Sequence, residues 1–441
     1  MIDLLISAPV LVKVLTTLGL ILLVNALCRQ LAVSICVGAV TLALWSGHST
    51  GTMGHLAVTR LLSINNLMLL LIVCQVISLS SQMSKTGLME DLVQGVRTRV
   101  SREGAMAVLP AVIGFLPMPG GALFSAPLVD SCDEPDHVGG LLKAQANHWF
   151  RHVWEYWWPL YPGVLLAMEI IGFDVWQMMV MGVPLTLGAI GAGVVFILRP
   201  IARREEAPHA AASTEEPGSL LRPLLPIIMV VATYALVRLG YAGAAQWSGA
   251  ELPPMNRYLP MAIGLVCAMI TLEHIHPLPP QQWREILLSG RTLNLAVIVA
   301  AVRVYGAFIE ADLPGGMPLV EAMRAEMGEW GIPIMAMIML LPLISGLATG
   351  LSIGFVGASF PIVLELVPET ASFGELLAIA LLAYSFGYMG MLLSPVHVCL
   401  IVTCKHFEET ITGPILRMAR PAGAFLLWAL TLHFLWRWLA R

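Results

Sequence analysis

The chain has 441 residues, of which 58% are hydrophobic and 12% are charged, and its formal net charge is -4. Soluble proteins typically carry about 25% charged residues, so this composition and a mean hydropathy of +0.81 exclude an ordinary soluble protein. Without a basic patch, the chain also lacks the signature of a nucleic-acid-binding protein. We therefore predict an all-α polytopic membrane protein surrounded by membrane lipids, with no nucleic acid partner.

Apolar runs of membrane-spanning length recur along the whole chain. They predict ten transmembrane helices, at residues 5–27, 31–47, 61–80, 149–172, 175–198, 222–241, 258–272, 292–310, 375–402 and 413–439. A polar, low-complexity stretch at 202–219 predicts a cytoplasmic linker that divides the chain almost in half. Two amphipathic segments, at 83–104 and 317–330, predict helices that lie along the membrane surface.

Two further charge-free segments, about 104–129 and about 331–364, have lengths that suit neither one span nor two. A helix needs about 20 apolar residues to cross the hydrocarbon core. Small and polar residues in the middle of each segment suit a turn better than a lipid-facing helix. We predict a re-entrant hairpin in each segment. The alternative for 331–364 is one long, tilted helix that is kinked at glycine.

The two halves of the chain share short motifs in the same order and at a nearly constant spacing of 232 to 236 residues. The matches are LPAVIG with LPLISG, SAPLV with SFPIV, and a proline inside the next apolar segment, at 109–114 with 341–346, at 125–129 with 359–363, and at 159 with 395. Single matches of this length arise by chance in an apolar chain. An ordered series of them indicates an internal repeat.

The correspondence predicts two repeats, residues 1–201 and 220–441. Each would contain one hairpin and five transmembrane helices, one of which, at about 149–172 or about 375–402, is broken. An odd number of membrane crossings gives the two copies opposite orientations, which is the inverted-repeat plan of many secondary transporters. The distribution of Lys and Arg places both termini outside.

Interrupted helices inside a membrane expose backbone groups that attract ligands, because helix N-termini favour anions and freed carbonyls favour cations. Four interruptions, at 116–122, 157–162, 345–354 and 393–397, are predicted to meet in one substrate site. Its candidate residues are Pro117, Pro119, Gly120, Gly121, Ser125, Ser345, Thr349, Gly350, Ser352, Ser394 and His397. The alternatives are plain structural turns, hydroxyls that bond back to their own helices, and a histidine that only packs between helices.

Ionisable residues inside apolar segments are costly, so they are candidates for a functional role. His148, Arg151, His152 and Glu155 are spaced at i, i+3, i+4 and i+7, which predicts one shared helix face, and Arg303 lies near the middle of the eighth span. We assign His152, Glu155 and Arg303 to coupling or charge pairing, and we place His148 and Arg151 near the cytoplasmic interface. The alternative is a set of structural ion pairs.

The elements LPMPGGALFSAP and LSPVHVCLIVT resemble the ion-transporter superfamily, which includes divalent-anion symporters, gluconate and citrate permeases and TRAP-type large subunits. Within it they are most similar to a prokaryotic family with no assigned substrate. The resemblance implies inverted repeats, hairpins that meet broken helices, a homodimer and an elevator-type motion. Carboxylate symporters of this superfamily carry Ser-Asn-Thr at their hairpin tips, whereas the tips here, PMPGG and SGLATG, lack the Asn.

These features favour a secondary active transporter of the inner (plasma) membrane, not an enzyme. The expected substrate is a small, carboxylate-like organic anion, coupled to protons or sodium by an elevator mechanism. The only cofactor expected is the coupling ion, H+ or Na+, with sodium near Ser345 and Thr349 as one arrangement. The second candidate is a sodium or other cation/proton antiporter that uses Glu155. An intramembrane enzyme is disfavoured because the chain has no HExxH motif and no paired intramembrane aspartates.

Overall fold

A computed structural model of the chain describes residues 8–97, 99–115, 121–133, 138–202, 221–248, 253–368 and 370–440. Within these ranges the protein is helical and forms no β-strand, apart from one isolated bridge between Asp312 and Pro318. Nearly all of the predicted 202–219 linker and residues 116–120 of the first hairpin lie outside the described residues.

The helices of the first half include two short ones, α6 and α7, where the first hairpin is predicted. In chain order they are α1 Val10–Cys28, α2 Leu31–Trp45, α3 Thr50–Leu61, α4 Ile64–Lys85, α5 Leu88–Arg97, α6 Arg102–Gly114, α7 Ala122–Asp130, α8 Gly140–Arg151, α9 Pro162–Ile171 and α10 Val175–Ala202.

The second half has a similar mixture of long and short helices. They are α11 Leu221–Ser248, α12 Leu259–Ile275, α13 Pro280–Leu287, α14 Gly290–Ile309, α15 Leu319–Glu329, α16 Ile334–Thr349, α17 Ser352–Glu365, α18 Phe373–Leu392, α19 Val398–His406 and α20 Thr412–Leu439. The two predicted amphipathic segments are helical, as α5 and α15.

Seven helices in the described part of the chain are long and apolar enough to cross a membrane. Many of their large apolar side chains are exposed, Leu27, Leu236 and Leu427 among them. A helix that is apolar on all sides belongs in lipid or in a protein core. The prediction of a helical membrane protein is therefore confirmed. Two of the ten predicted spans, at 31–47 and 258–272, form the shorter helices α2 and α12, of 15 and 17 residues, and those at 149–172 and 375–402 are interrupted.

The segment 331–364 forms a helix–turn–helix, so the alternative of one continuous kinked helix is wrong. Helix α16 ends at Thr349, Gly350 follows in the left-handed conformation with φ of 62°, and α17 begins at Ser352. Glycine reaches this conformation without the steric penalty of a Cβ atom, which is why it commonly ends helices. The two arms pack against each other.

The predicted span at 149–172 is a broken helix that begins earlier than its hydropathy suggests. Helix α8 starts at Gly140 and carries buried polar residues that find partners inside the protein. The amide of Asn147 donates to the Thr403 hydroxyl at 2.8 Å, and the Lys143 ammonium lies 2.9 Å from an Asp130 oxygen. Hydropathy cannot anticipate such partners, since they lie on other helices: Asp130 at the end of α7 and Thr403 in α19.

Helix α8 ends at Arg151, so the expectation of one helix face shared with His152 and Glu155 is wrong. Residues 152–161 form successive turns before Pro162 starts α9. Carbonyls in this stretch are taken by side chains of α18: the hydroxyls of Tyr388 and Tyr384 donate to the carbonyls of His152 and Glu155 at 2.6 Å each. Proline cannot supply a backbone N–H, which also opposes a continuous helix here.

Helix α18 lies at the centre of the molecule: 78% of the residues in its apolar 18-residue stretch are buried. In α11 only 17% of the corresponding residues are buried, so this helix lies at the periphery. The second hairpin packs on α18, and the start of α9 packs on α17. The core therefore surrounds the places where the helices are interrupted.

The N-terminus of α1 is capped from a distant helix. The carboxylate of Glu326 in α15 accepts the N–H groups of Val10 and Leu11 at 2.7 Å each. We expect Glu326→Ala to destabilise the protein by about 1–2 kcal/mol, the usual range for loss of a helix cap, as measured by thermal unfolding in detergent. The exposed neighbour variant Glu329→Ala is the control and should unfold like the wild type. Equal effects of both variants would contradict the capping role.

Candidate functional site

The four helix interruptions meet in the interior, and we call the place where they meet the central site. It comprises the described ends of the first hairpin (114–115 and 121), the first break (152–161), the tip of the second hairpin (350–351) and the second break (393–397). Pro117, Pro119 and Gly120 lie outside the described residues. The described parts of the four interruptions thus converge at one place, as predicted, whereas substrate binding there stays a prediction.

Each hairpin is fastened to one break by side-chain hydrogen bonds. In the second half, His397 Nδ1 lies 2.7 Å from the Gly350 carbonyl oxygen, and the Ser394 hydroxyl donates to the Leu347 carbonyl at 2.6 Å. In the first half, the Tyr161 hydroxyl donates to the Gly114 carbonyl, and the Trp154 indole donates to the Ala111 carbonyl at 2.8 Å. These bonds satisfy carbonyls that the helix ends leave open.

Glycines let the hairpins approach the broken helices at backbone distance. A Cβ atom at Gly114 would overlap the Arg151 carbonyl oxygen, and one at Gly346 would overlap the Gly387 carbonyl oxygen. Both glycines end the motifs that match between the two halves, and both meet the helix that leads into a break. The absence of a side chain is what permits this packing.

Three buried imidazoles form the centre of the site. His148, His152 and His397 have ring centroids 4.9 to 5.1 Å apart, and one ring nitrogen of each lies within 4.8 Å of those of the other two. His152 Nε2 and His397 Nε2 are 3.1 Å apart. This cluster joins the first break to the second, because His397 immediately precedes α19.

Two charged residues border the histidine cluster. A Glu155 carboxylate oxygen lies 3.9 Å from His152 Nε2, and only 8% of Glu155 is exposed. The Arg151 guanidinium lies against Gly121, the residue that precedes α7, and it is also buried. The site therefore holds titratable groups and a fixed positive charge at the N-terminus of a helix.

Arg303 does not join this site. Its guanidinium lies 2.8 Å from Glu169 in α9, whose carboxylate is also 2.5 Å from Arg257 and accepts the Tyr258 hydroxyl. Of the two interpretations left open for Arg303, the structural ion pair is the one that its contacts support. Glu169 was missed in the sequence, where the only signal was a single carboxylate in an otherwise apolar segment.

The predicted hydroxyl ligands fall into two groups. Thr349 donates to the Ser345 carbonyl at 2.7 Å, as a hydroxyl bonding back to its own helix does, and Ser352 packs on Gly163. The buried hydroxyls of Ser125 and Ser345 have no hydrogen-bond partner among the described residues. Those two are the hydroxyls open to a ligand.

His148 and Arg151 were placed at a membrane interface, but both are buried against the central site. The polar run around them, NHWFRH, argued against a membrane interior. The signal in the sequence is their i−4 spacing from His152 and Glu155, which predicts a common location for the four residues.

An all-helical, multi-pass membrane protein with a polar site where interrupted helices meet is the class that these features define. The chain belongs to the family described as a protein of unknown function, DUF401, whose sequence profile matches residues 11–246 and 259–435. No curated protein matches the chain. The family description assigns no activity, so the function must be argued from the site.

The glycine contact at the second hairpin gives one test. We expect Gly346→Ala to lower stability by about 1–3 kcal/mol, the usual range for overpacking, because its methyl group would meet a backbone carbonyl that cannot move aside. The control is Gly328→Ala, at a helical position with nothing within 4 Å of the added Cβ. This control variant should be as stable as the wild type or more stable in the same thermal unfolding assay. Equal destabilisation by both changes would contradict a specific role of the Gly346–Gly387 contact.

The Glu169 network gives a second test. We expect Glu169→Gln to destabilise the protein by about 3–5 kcal/mol, because it removes the carboxylate from the buried Arg303 guanidinium and the partly buried Arg257 guanidinium. Glu285→Gln breaks the exposed Lys85–Glu285 pair, 2.7 Å long, and should change stability by about 1 kcal/mol or less. Chemical or thermal unfolding of the two variants side by side measures the difference. A small effect of Glu169→Gln would show that the network is dispensable.

Proposed function

We propose that this protein is a secondary active transporter that moves a small organic anion together with a coupling cation. The observation that carries the proposal is the convergence of two hairpins and two broken helices on a buried cluster of His152, His397, Glu155 and Arg151. Interrupted helices that meet around buried ionisable groups are typical of transporter binding sites. A purely structural core would favour continuous helices and apolar contacts.

The anion-binding side is the N-terminus of α7. Its first backbone N–H groups have no partner within the helix, and they favour negative charge. The Arg151 guanidinium lies beside Gly121 at this end, and the buried Ser125 hydroxyl lies in the first turn. A guanidinium, a hydroxyl and helix N–H groups together suit a carboxylate. We therefore assign the role of holding the anion to Arg151 and not to Arg303.

The cation side is the histidine cluster with Glu155. Imidazole and carboxylate groups exchange protons near neutral pH when their surroundings favour it, so we favour proton coupling. Sodium is the second possibility, because Ser345 offers a buried hydroxyl beside carbonyls at the hairpin tip. The cation/proton antiporter remains the second candidate function, and the Glu155–His152 proximity of 3.9 Å is what favours it.

The similarity between the two halves of the sequence has a counterpart in the contacts that the hairpin glycines make. The Gly114–Arg151 and Gly346–Gly387 contacts are equivalent under the spacing found between the two halves, which supports two repeats at 1–201 and 220–441. We propose that the repeats are inverted and that the protein works as an elevator-type homodimer. We further place it in the inner (plasma) membrane, with both termini outside and the linker in the cytoplasm.

The transport test uses the purified chain in proteoliposomes and a panel of labelled mono-, di- and tricarboxylates. We expect uptake of at least one anion when the pH gradient is imposed, and no stimulation by sodium alone. Arg151→Gln should lower this uptake by roughly 10- to 100-fold, the loss expected for one charged hydrogen bond. The control Arg284→Gln, on an exposed helix, should transport normally.

The absence of gradient-driven uptake for every anion would contradict the transporter proposal. Uptake that follows a sodium gradient and does not respond to a pH gradient would show that the coupling ion is sodium and not the proton. The antiporter alternative predicts a different pattern: cation/proton exchange that is abolished in Glu155→Gln and retained in Arg151→Gln.

A further inference from the structure

We propose that His148, His152 and His397 bind one divalent transition-metal ion of the zinc class, with Glu155 as the fourth ligand. Among the described residues, this is the group of side chains that brings three metal-binding atoms within 4.8 Å of one another. The proposal is argued from these four residues and not from transport. A metal ion held by them would occupy the lone pairs that the proton coupling proposed above requires, so the two uses of the cluster exclude each other at any one time.

The hydrogen bonds of the three rings determine which nitrogens are available. His152 Nδ1 lies 2.6 Å from the His148 carbonyl oxygen, and His397 Nδ1 lies 2.7 Å from that of Gly350. His148 Nε2 lies 3.0 Å from the Leu392 carbonyl oxygen. A carbonyl only accepts hydrogen bonds, so each of these ring nitrogens carries the proton. Neutral rings then have their lone pairs on His152 Nε2, His397 Nε2 and His148 Nδ1.

This arrangement places acceptors together without a donor. The nitrogen atoms His152 Nε2 and His397 Nε2, whose lone pairs face each other, are 3.1 Å apart, and His148 Nδ1 has no hydrogen-bond partner among the described residues. One added proton would satisfy the His152–His397 pair but would leave His148 unpaired. A single metal ion satisfies all three nitrogens at once.

The anchoring bonds match the way in which metal-binding histidines are held. Such histidines commonly donate their other ring N–H to a backbone carbonyl or a carboxylate, which fixes both the tautomer and the orientation of the ring. Here all three rings meet that condition, and the carbonyls come from α8, α18 and the second hairpin tip. The rings are therefore oriented before any ion binds.

The distances suit a tetrahedral ion. Zinc–nitrogen bonds of about 2.0–2.1 Å place neighbouring ligand atoms about 3.3–3.4 Å apart. The His152–His397 separation of 3.1 Å is close to that value. The three histidine nitrogens together lie within 4.8 Å of one another, and the Glu155 oxygen is 3.9 Å from His152 Nε2, so ion binding would draw His148 and Glu155 closer.

The charges limit which ions can bind. Glu155 offsets part of a 2+ charge, whereas Arg151, which acts electrostatically on the same residues, opposes it. Imidazole ligands favour zinc, nickel, cobalt and copper over magnesium and calcium, which require oxygen-rich sites. We therefore expect a selective site for Zn²⁺ and its neighbours, with no measurable response to Mg²⁺.

His433 supplies a matched control. It is also buried, its Nδ1 lies 2.8 Å from the Ala378 carbonyl oxygen, and its Nε2 has no partner. It thus has the same local arrangement as a cluster histidine, but it is not one of the three. Substitution of His433 tests the general effect of removing a buried histidine.

The experiment is Co²⁺ titration of the purified, chelator-treated full chain in detergent, followed by visible d–d absorption and by elemental analysis after desalting. We expect one Co²⁺ per chain with a tetrahedral spectrum, displaced by Zn²⁺ and unaffected by Mg²⁺. His152→Gln and His397→Gln should each weaken binding at least tenfold, because loss of a direct ligand exceeds the effect of an outer-shell change. His433→Gln should bind like the wild type.

Size-exclusion profiles and thermal unfolding without metal establish that the variants are folded. Wild-type stoichiometry far below one ion, or equal binding by the wild type and a variant that lacks all three cluster histidines, would overturn the proposal. Loss of binding in His433→Gln alone would do so as well. Because the readout is binding and not transport, failure of this proposal and failure of the transporter proposal are distinguishable.

Discussion

The constraint on which the structure depends is the need to partner backbone groups where helices stop inside an apolar protein. An unpaired carbonyl in such surroundings costs free energy that hydration would otherwise offset. Here the open carbonyls are met by side chains: Tyr388 and Tyr384 serve the first break, and His397 serves the second hairpin tip. Interrupted helices are tolerated because these partners arrive from other segments.

The same requirement explains why polar residues concentrate in one place. A side chain long enough to reach a freed carbonyl brings a polar group with it, and in His397 the second ring nitrogen then faces His152. The side chains that stabilise the breaks are therefore also the ones that line the proposed ligand site. The Glu169 network shows the contrasting case, in which ion pairs with Arg257 and Arg303 hold helices together without an interrupted backbone.

Hydropathy and composition were sufficient to predict the helical membrane class, the turn at Gly350 and the second break near Pro395, because proline and glycine act locally. They were not sufficient for α8, whose buried Lys143 and Asn147 have partners on other helices, Asp130 and Thr403. The helix face predicted for His148, Arg151, His152 and Glu155 was wrong as a helix, yet the residues lie together. The ion pair between Arg303 and Glu169 could not be predicted, because pairing between two helices leaves no pattern within either segment.

The glycine contacts have a mechanical consequence. Because the backbones of the second hairpin and α18 interlock at Gly346 and Gly387, and a hairpin glycine likewise meets Arg151 in the first half, each hairpin and its broken helix form a block that cannot separate without unpacking main chain from main chain. Between the two blocks the hydrogen bonds involve side chains: those of Tyr384 and Tyr388, the His152–His397 pair, His148 to Leu392 and Asn147 to Thr403. The molecule is thus divided by a seam that side-chain hydrogen bonds and the packing of α9 on α17 hold together.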